Sequence, residues 1–174
     1  MLEQLTTISR AAGEEILKIY ADEEKFQVVD FKANDSPLTL ADRAAHNAIV
    51  AELEKITPEV PILSEEGRDI PYEERKAWSK FWLVDPLDGT KEFIKRNGEF
   101  TVNIALVEEG SVIMGCVHVP VTGTTYFAAK GEGAFVKRGD AEAVKIEVAS
   151  YTKTDTGLRI VASRSHMSAP ATSG

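Results

Sequence analysis

Two aspartates follow directly on a short apolar run, Phe81–Val84, near the middle of the chain. Asp85 and Asp88 stand three positions apart, a proline stiffens the residues between them, and Gly89-Thr90 comes next. This order predicts a buried strand with carboxylates at its end, then a tight turn, then the start of a helix. Two carboxylates at an otherwise apolar place repel each other, and a cation between them relieves the repulsion. The segment therefore predicts a divalent metal site that faces an anion.

The alternative for Asp88 is a helix cap, because a helix starting near Thr90 would place its first amides close to that side chain. A cap does not account for Asp85, whose carboxylate at the end of a buried run is costly without a counter-ion. The Leu87 carbonyl could add one more oxygen ligand. Since hard cations prefer an oxygen-only ligand set, we expect Mg²⁺ at this site.

A second acidic pair, Glu65-Glu66, follows the short apolar stretch Pro61–Ser64 and precedes a glycine. Alone, such a pair indicates no more than solvated surface charge. Beside Asp85 and Asp88, it would supply the third carboxylate that a metal cluster needs. The sequence leaves both interpretations open.

Gly89 and Thr90 predict a phosphate seat, because glycine permits close backbone approach and the first amides of a helix attract anions. Thr90 could instead be only the cap of that helix. Asp42 ends the segment Thr39–Asp42, whose pattern is close to a capping box, so a cap and a site role both remain open for it. If the Thr90 hydroxyl bonds Asp42, the pair could hold and polarise an attacking water.

Basic side chains after Thr90 are candidates for contacting an anion. Lys91, Lys95 and Arg96 are either a solvated helix face or counter-charges for a doubly phosphorylated ligand. His166 is a further candidate, with an ordinary loop residue as its alternative.

The net charge of −8 argues against a nucleic-acid polymer as partner, because binding one requires a basic surface. A small phosphorylated substrate remains compatible, since bound metal ions invert the local field. The single cysteine, Cys116, excludes an internal disulfide and fits a reducing compartment. We expect no signal peptide in the charge-punctuated Leu2–Tyr20 segment, and no stretch approaches the roughly 20 apolar residues of a membrane span.

Helical periodicity predicts amphipathic helices over residues 2–21 and 39–56, followed by a polar stretch with a short helical turn at 72–78. After Asp88 the sequence pattern becomes that of short strands separated by glycine-containing turns. The predicted strands are 100–107, 112–119, 124–129, 134–136 and 144–148. We therefore expect an α+β fold in which N-terminal helices pack on a largely antiparallel sheet.

The segments Pro37–Asp42, Glu65-Glu66 and Asp85–Thr90 together resemble the inositol monophosphatase superfamily of Mg²⁺-dependent, lithium-sensitive phosphatases. The longer stretch Trp82–Val107 is similar to the bacterial 3'(2'),5'-bisphosphate nucleotidase branch of that superfamily. The resemblance implies that two or three Mg²⁺ ions are held by four oxygen-bearing groups: Glu65, Asp85, the Leu87 carbonyl and Asp88. It implies a catalytic set of Asp42, Thr90 and Glu65, in which Asp42 and Thr90 activate water. The implied substrate contacts are these ligands with Gly89, Thr90 and His166.

The same resemblance implies hydrolysis of the 3'-phosphate of adenosine 3',5'-bisphosphate to AMP and phosphate, which recycles a by-product of sulfate assimilation. The substrate would be a small phosphorylated nucleotide and the enzyme cytoplasmic, with peripheral association with the inner membrane also allowed. The alternatives are an inositol or sugar phosphatase of the same fold and a fragment that binds Mg²⁺ without turnover.

The superfamily carries a later Trp-Asp-x-Ala-Ala-Gly segment whose aspartate completes the metal site. Here the only tryptophans are Trp78 and Trp82. We therefore expect an N-terminal portion: residues 1–150 as an α+β metal-binding phosphatase domain, and residues 151–174 as the start of a truncated α/β domain. The oligomeric state is left open by the sequence.

Overall fold

The computed structural model describes residues 1–23, 36–152, 154 and 156–157 of the 174-residue chain. Two long helices come first, α1 at Leu2–Tyr20 and α2 at Pro37–Ile56. Two short helices follow, α3 at Tyr72–Arg75 and α4 at Thr90–Ile94. The strands are β1 Ile62–Ser64, β2 Lys80–Asp88, β3 Thr101–Glu108, β4 Ser111–Val119, β5 Thr124–Ala129, β6 Gly133–Arg138 and β7 Val144–Ile146.

Both long helices were predicted from their apolar periodicity, and both are confirmed. Leu5, Ile8, Ala12 and Ile16 of α1 are buried along one stripe. Helix α2 begins two residues before the predicted Thr39, because the Ser36 side chain accepts a hydrogen bond from the Thr39 amide at 3.2 Å and a proline occupies the first helical position.

The described strands form one seven-stranded sheet in chain order, β1 to β7. Strands β1 and β2 run parallel, and every later neighbour is antiparallel. The predicted α+β fold with a largely antiparallel sheet is thus confirmed. Strand β2 runs on through Pro86 to Asp88, further than the predicted Phe81–Val84, because its pairing with β3 resumes at Asp88 after an irregular step.

Helices α1 and α2 pack on one face of the sheet and on each other. Trp82 of β2 is fully buried there, and its indole N–H donates to the Thr57 hydroxyl at 2.9 Å. Thr57 is the residue that ends α2. This bond satisfies the one polar group of a buried indole and fixes the end of α2 against β2.

The other face of the sheet is open over part of its area, where Leu83, Val117 and Tyr126 are each more than 40% exposed. Among the residues described, none of the helices has the length and apolar character needed to cross a bilayer. Residues 158–174 lie outside the described residues, so the domain boundary at residue 150 stays a prediction.

Gly13 of α1 packs tightly against residues that lie in and just after β4. A Cβ at this position would lie 2.7 Å from Cδ2 of His118 and 3.2 Å from Cγ of Pro120. The His118 ring cannot easily yield, because it is buried and its Nδ1 is held 2.9 Å from the Thr125 hydroxyl. Glycine is therefore required here by packing, although it weakens the helix.

We expect Gly13→Ala to lower the free energy of unfolding by about 1–3 kcal/mol, the usual cost of overpacking. The better helix propensity of alanine offsets only about 1 kcal/mol of the clash. Urea denaturation measures the change. Glu14→Ala, at the exposed neighbouring position, is the control and should stay within about 0.5 kcal/mol of the parent. A Gly13→Ala protein as stable as the parent would contradict the packing argument.

Candidate functional site

The parallel pairing of β1 with β2 brings the first two acidic groups together. Ser64 lies opposite Val84 in the register, and the Glu65 amide donates to the Val84 carbonyl at 3.1 Å. Glu65 and Asp85 therefore lie side by side toward the carboxyl ends of two neighbouring parallel strands. The predicted proximity of Glu65 and Asp85 follows from this one pairing.

The chain turns sharply after β1 and exposes Glu65 and Glu66 in the turn. The Gly67 amide donates to the Ser64 carbonyl at 3.0 Å and closes the turn. A Cβ on residue 67 would lie 3.0 Å from that same carbonyl oxygen, so glycine lets the backbone fold back tightly.

A β-bulge orients the two aspartates of β2. Asp85 lies opposite Asn103 and Asp88 opposite Thr101, so Pro86 and Leu87 together face a single residue of β3. In a regular strand, residues three apart point to opposite faces. The extra residue of the bulge brings Asp85 and Asp88 to the same face. Proline is tolerated at a bulge, since no ladder hydrogen bond is required of it there.

Asn103 and Thr101 are site residues that sequence reasoning missed. The Asn103 side-chain amide donates to Oδ2 of Asp88 at 3.3 Å, and the Thr101 hydroxyl donates to Oδ1 of Asn103 at 3.1 Å. This chain of bonds holds the exposed Asp88 carboxylate toward β3. The sequence feature that could have pointed to them is the alternation of these two polar residues with apolar ones in the predicted strand that follows the aspartates.

Asp42 lies in the second turn of α2 and is only 9% exposed. The capping-box interpretation is wrong, because Ser36 caps this helix. Oδ1 of Asp42 is buried and accepts no hydrogen bond from any residue in the described part of the chain, the Thr90 hydroxyl included. A buried acceptor without a partner is costly, and it marks Asp42 as a group kept for something other than local structure.

Electrostatics show that Asp42 faces the acidic turn and β2. The pKa of Asp42 is raised to about 8, first by burial and then by the charges of Glu66, Asp85 and Glu65 and a hydrogen bond to Glu66. The pKa of Asp85 is raised to about 6 by burial and by the charges of Glu65 and Asp88, which outweigh the lowering effect of a hydrogen bond from the Leu87 backbone. The carboxyl groups of α2, β1 and β2 are therefore close enough to repel one another.

His46 and Ser64 form a second feature that the sequence did not disclose. Nδ1 of His46 lies 2.8 Å from the Ser64 hydroxyl, so a hydrogen bond joins α2 to the last residue of β1. Burial lowers the pKa of His46, and the charge of Glu66 opposes this shift. The ring is therefore neutral at neutral pH.

Gly89 forms the link from β2 to α4, with φ of 96° in the left-handed region. A Cβ there would lie 2.9 Å from the Glu99 carbonyl, so a side chain is excluded on two grounds. Gly89 itself is the N-cap residue of α4, and no side chain caps this helix. The alternatives in which Asp88 or Thr90 serves as the cap are therefore wrong: Thr90 is exposed at the first helical position.

The remaining candidates lie on or beyond α4. Lys91 and Lys95 are exposed, as expected of a solvated face. The Arg96 guanidinium lies 4.8 Å from the ring centre of Tyr20, in a cation–π contact. The Leu87 side chain is buried in the core. His166 lies outside the described residues.

The donor set fits a hard divalent cation in chemistry. Carboxylate oxygens dominate the cluster, and the orphaned Oδ1 of Asp42 is a buried acceptor of the kind such a cation satisfies. As placed, however, no three His, Cys, Asp or Glu side chains within residues 1–23 and 36–152 are gathered closely enough to hold a metal. Two properties of these residues therefore suit a hard cation: their ligands are oxygen atoms, and their carboxylates repel one another.

A model of the inositol monophosphatase family matches residues 1–173. The chain belongs to the inositol monophosphatase family. This membership agrees with the resemblance inferred from the Asp85 segment, and it covers both long helices and the whole described sheet.

Relatives within the inositol monophosphatase family include several bacterial nucleotidases. The 3'(2'),5'-bisphosphate nucleotidase CysQ of Salmonella typhimurium is 53% identical over 133 residues, covering 76% of this chain and 53% of the relative. CysQ of Buchnera aphidicola is 42% identical over 166 residues, covering 95% of this chain and 60% of the relative. The crystal structure of CysQ from Bacteroides thetaiotaomicron matches with a TM-score of 0.78 and 43% identity, over 98% of this chain and 65% of that one. The chain thus spans little more than half the length of the curated relatives.

We expect Asp42→Asn to stabilise the protein. The folded-state pKa of about 8 exceeds the ordinary value of 3.8, so the folded state binds the extra proton between these values. Stability is therefore lost as pH rises through that window, and asparagine removes the loss. Urea denaturation should show a gain on the order of 1–3 kcal/mol at pH 8 and a smaller gain at pH 5.

The control for this prediction is Asp69→Asn, an exposed aspartate that follows the Glu65 turn. Its stability should not change by more than about 0.5 kcal/mol at either pH. A loss of stability in Asp42→Asn, or a gain that does not depend on pH, would show that the Asp42 carboxyl is not under electrostatic strain.

Proposed function

We propose that this chain carries the catalytic site of a Mg²⁺-dependent 3'(2'),5'-bisphosphate nucleotidase. The reaction is hydrolysis of the 3'-phosphate of adenosine 3',5'-bisphosphate to AMP and phosphate, which recycles a by-product of sulfate assimilation. The observation that carries the proposal is the buried Asp42 Oδ1, which has no partner within the described part of the chain and faces the carboxylates at the end of the β1–β2 pair. The CysQ relatives support the substrate class.

The metal-binding groups in this proposal are Glu65, Asp85, the Leu87 carbonyl and Asp88. When bound, two or three Mg²⁺ ions neutralise the phosphate charge and the charge that develops during transfer. The protein contributes the orientation of these oxygens: the bulge aims Asp85 and Asp88 to one face, and the Asn103 amide holds Asp88. An acidic surface thereby becomes able to accept an anion.

Asp42 is the proposed general base for the attacking water. Its Oδ1 is buried and has no hydrogen-bond partner among the described residues, so it is available to accept the proton of a bound water. The water oxygen attacks phosphorus and the water proton passes to the Asp42 carboxylate, while the bond to the ribose 3'-oxygen breaks and that oxygen takes up a proton from solvent water to become the 3'-hydroxyl of AMP. Thr90, at the start of α4, is proposed to orient this water, and Glu65 completes the catalytic set.

The phosphate contacts proposed for the protein are the backbone amides of Gly89 and Thr90, together with His166. Gly89, with φ of 96°, turns the chain from β2 directly into α4, so these amides follow at once on Asp88. The proposed substrate is a small nucleotide, and the net charge of −8 argues against a nucleic-acid polymer.

The proposal extends to domain organisation and compartment. Residues 1–150 form the metal-binding domain, and residues 151–174 begin an α/β portion of the kind for which the longer relatives have room. The enzyme works in the cytoplasm, with the cytoplasmic face of the inner membrane as a place of peripheral association. The single cysteine agrees with a reducing compartment.

Phosphate release by the purified 174-residue chain tests the proposed reaction. With Mg²⁺ present, we expect release from adenosine 3',5'-bisphosphate to exceed release from inositol monophosphate, and lithium to lower it. Release mainly from inositol monophosphate would favour an inositol phosphatase. Mg²⁺ binding without release from either substrate would favour a non-catalytic fragment.

We expect Asp88→Asn to weaken Mg²⁺ binding at least about tenfold, because the substitution removes a ligand charge while keeping the side-chain shape. Titration calorimetry with MgCl₂ measures the affinity, and circular dichroism confirms that the variant is folded. The control is Glu132→Gln, in the β5–β6 turn at the far end of the sheet, which should bind Mg²⁺ as the parent does. Equal affinities for all three proteins would remove Asp88 from the metal site.

A further inference from the structure

A side-chain hydrogen bond links α2, which carries the proposed base, to the strand that leads into the acidic turn. His46 Nδ1 and the Ser64 hydroxyl are 2.8 Å apart, with Ser64 only 8% exposed. His46 belongs to α2 and Ser64 is the last residue of β1. Two residues 18 positions apart in sequence, one on α2 and one on β1, are thus joined beside the site.

Both ends of this bond lie next to acidic site residues. On α2, Asp42 precedes His46 by four residues, so the two side chains lie on the same face one turn apart. On β1, Ser64 directly precedes Glu65 and Glu66, and its carbonyl accepts the Gly67 amide that closes their turn. The bond therefore spans the gap between Asp42 and the Glu65–Glu66 turn.

We propose that His46 is a positioning residue that, through Ser64, sets the distance between Asp42 and the Glu65–Glu66 turn. This inference rests on the proposed function, in which Asp42 serves as the base and Glu65 as a metal ligand. His46 touches neither substrate nor metal in this role. Its effect passes entirely through the Ser64 hydroxyl.

Repulsion explains why such a bond is needed. The charges of Glu65 and Glu66 raise the pKa of Asp42, so the turn repels the ionised Asp42 carboxylate that the proposed reaction requires. The other bonds of the turn run from the Glu65 amide to β2, from the Gly67 amide to the Ser64 carbonyl, and between Glu66 and the Asp42 carboxyl itself. A neutral imidazole supplies a directional bond from α2 and adds no charge to the cluster.

The chain contains a matched bond that serves as a control. His118 Nδ1 lies 2.9 Å from the Thr125 hydroxyl, and both residues are buried. This pair belongs to β4 and β5, so β2 and β3 separate it from β1. Deleting the hydroxyl of either pair removes one His–hydroxyl bond, but only Ser64 adjoins the acidic turn.

Amide hydrogen exchange, followed by NMR, tests the positioning role in this chain. In His46→Phe and in Ser64→Ala we expect the Glu65 and Gly67 amides to exchange at least about tenfold faster, since the turn loses this tie to α2. His46→Asn should exchange as the parent does, because asparagine places a donor or acceptor where Nδ1 stands. Thr125→Val should leave both amides unchanged.

Mg²⁺ affinity gives the second measurement, by calorimetry on the same proteins. We expect His46→Phe and Ser64→Ala each to weaken binding about tenfold, the His46→Phe/Ser64→Ala double variant to weaken it no further, and His46→Asn to restore it. Thr125→Val should bind as the parent does.

The outcomes separate this inference from the proposed function. Unchanged Glu65 and Gly67 exchange in His46→Phe, or equal effects of His46→Phe and His46→Asn, would overturn the positioning role. Additive losses of Mg²⁺ affinity in the double variant would also overturn it. A parent chain that binds no Mg²⁺ would count against the proposed function, and the exchange rates would still decide the role of His46.

Discussion

The parallel pairing of β1 with β2 is the constraint on which the acidic site depends. Because Ser64 and Val84 are in register, Glu65 and Asp85 emerge side by side from the sheet. Helix α2 is fixed against the same strand, since the Trp82 indole bonds Thr57 at the end of the helix. Asp42 therefore projects from α2 toward the end of the sheet where Glu65 and Asp85 lie. A shift of β1 by one residue would turn the side chains of β1 to opposite faces and disperse the cluster.

Stability and function oppose each other at this edge. Burial and neighbouring carboxylates raise the pKa of Asp42 to about 8 and that of Asp85 to about 6. Ionisation of these two carboxyl groups therefore lowers the stability of the folded state. Such strain survives only when the surrounding structure determines it, and here an apolar core of two helices on a sheet supplies that support. A cluster that repels itself in this way favours binding of cations and, through them, of phosphate.

Features with a local cause were predictable from the sequence, and features set by pairing were not. Apolar periodicity gave both helices and the strand meander, and therefore the fold class. The capping pattern at Asp42 failed because Ser36, three residues upstream of Thr39, offers its hydroxyl in the right place. Asn103 and His46 were missed because their roles depend on strand register and on a helix crossing β1, which no local pattern contains.

The spacing of Asp85 and Asp88 shows how a local pattern can hide a three-dimensional requirement. Read as a regular strand, the three-residue spacing sends the two carboxylates to opposite faces, which contradicts a shared site. The bulge at Pro86 and Leu87 removes the contradiction, because two residues of β2 then oppose one residue of β3. Asn103 lies opposite Asp85 and donates to Asp88, so the partner strand itself holds the two carboxylates on one face. The proline between the aspartates is thus part of the geometry that allows them to act together.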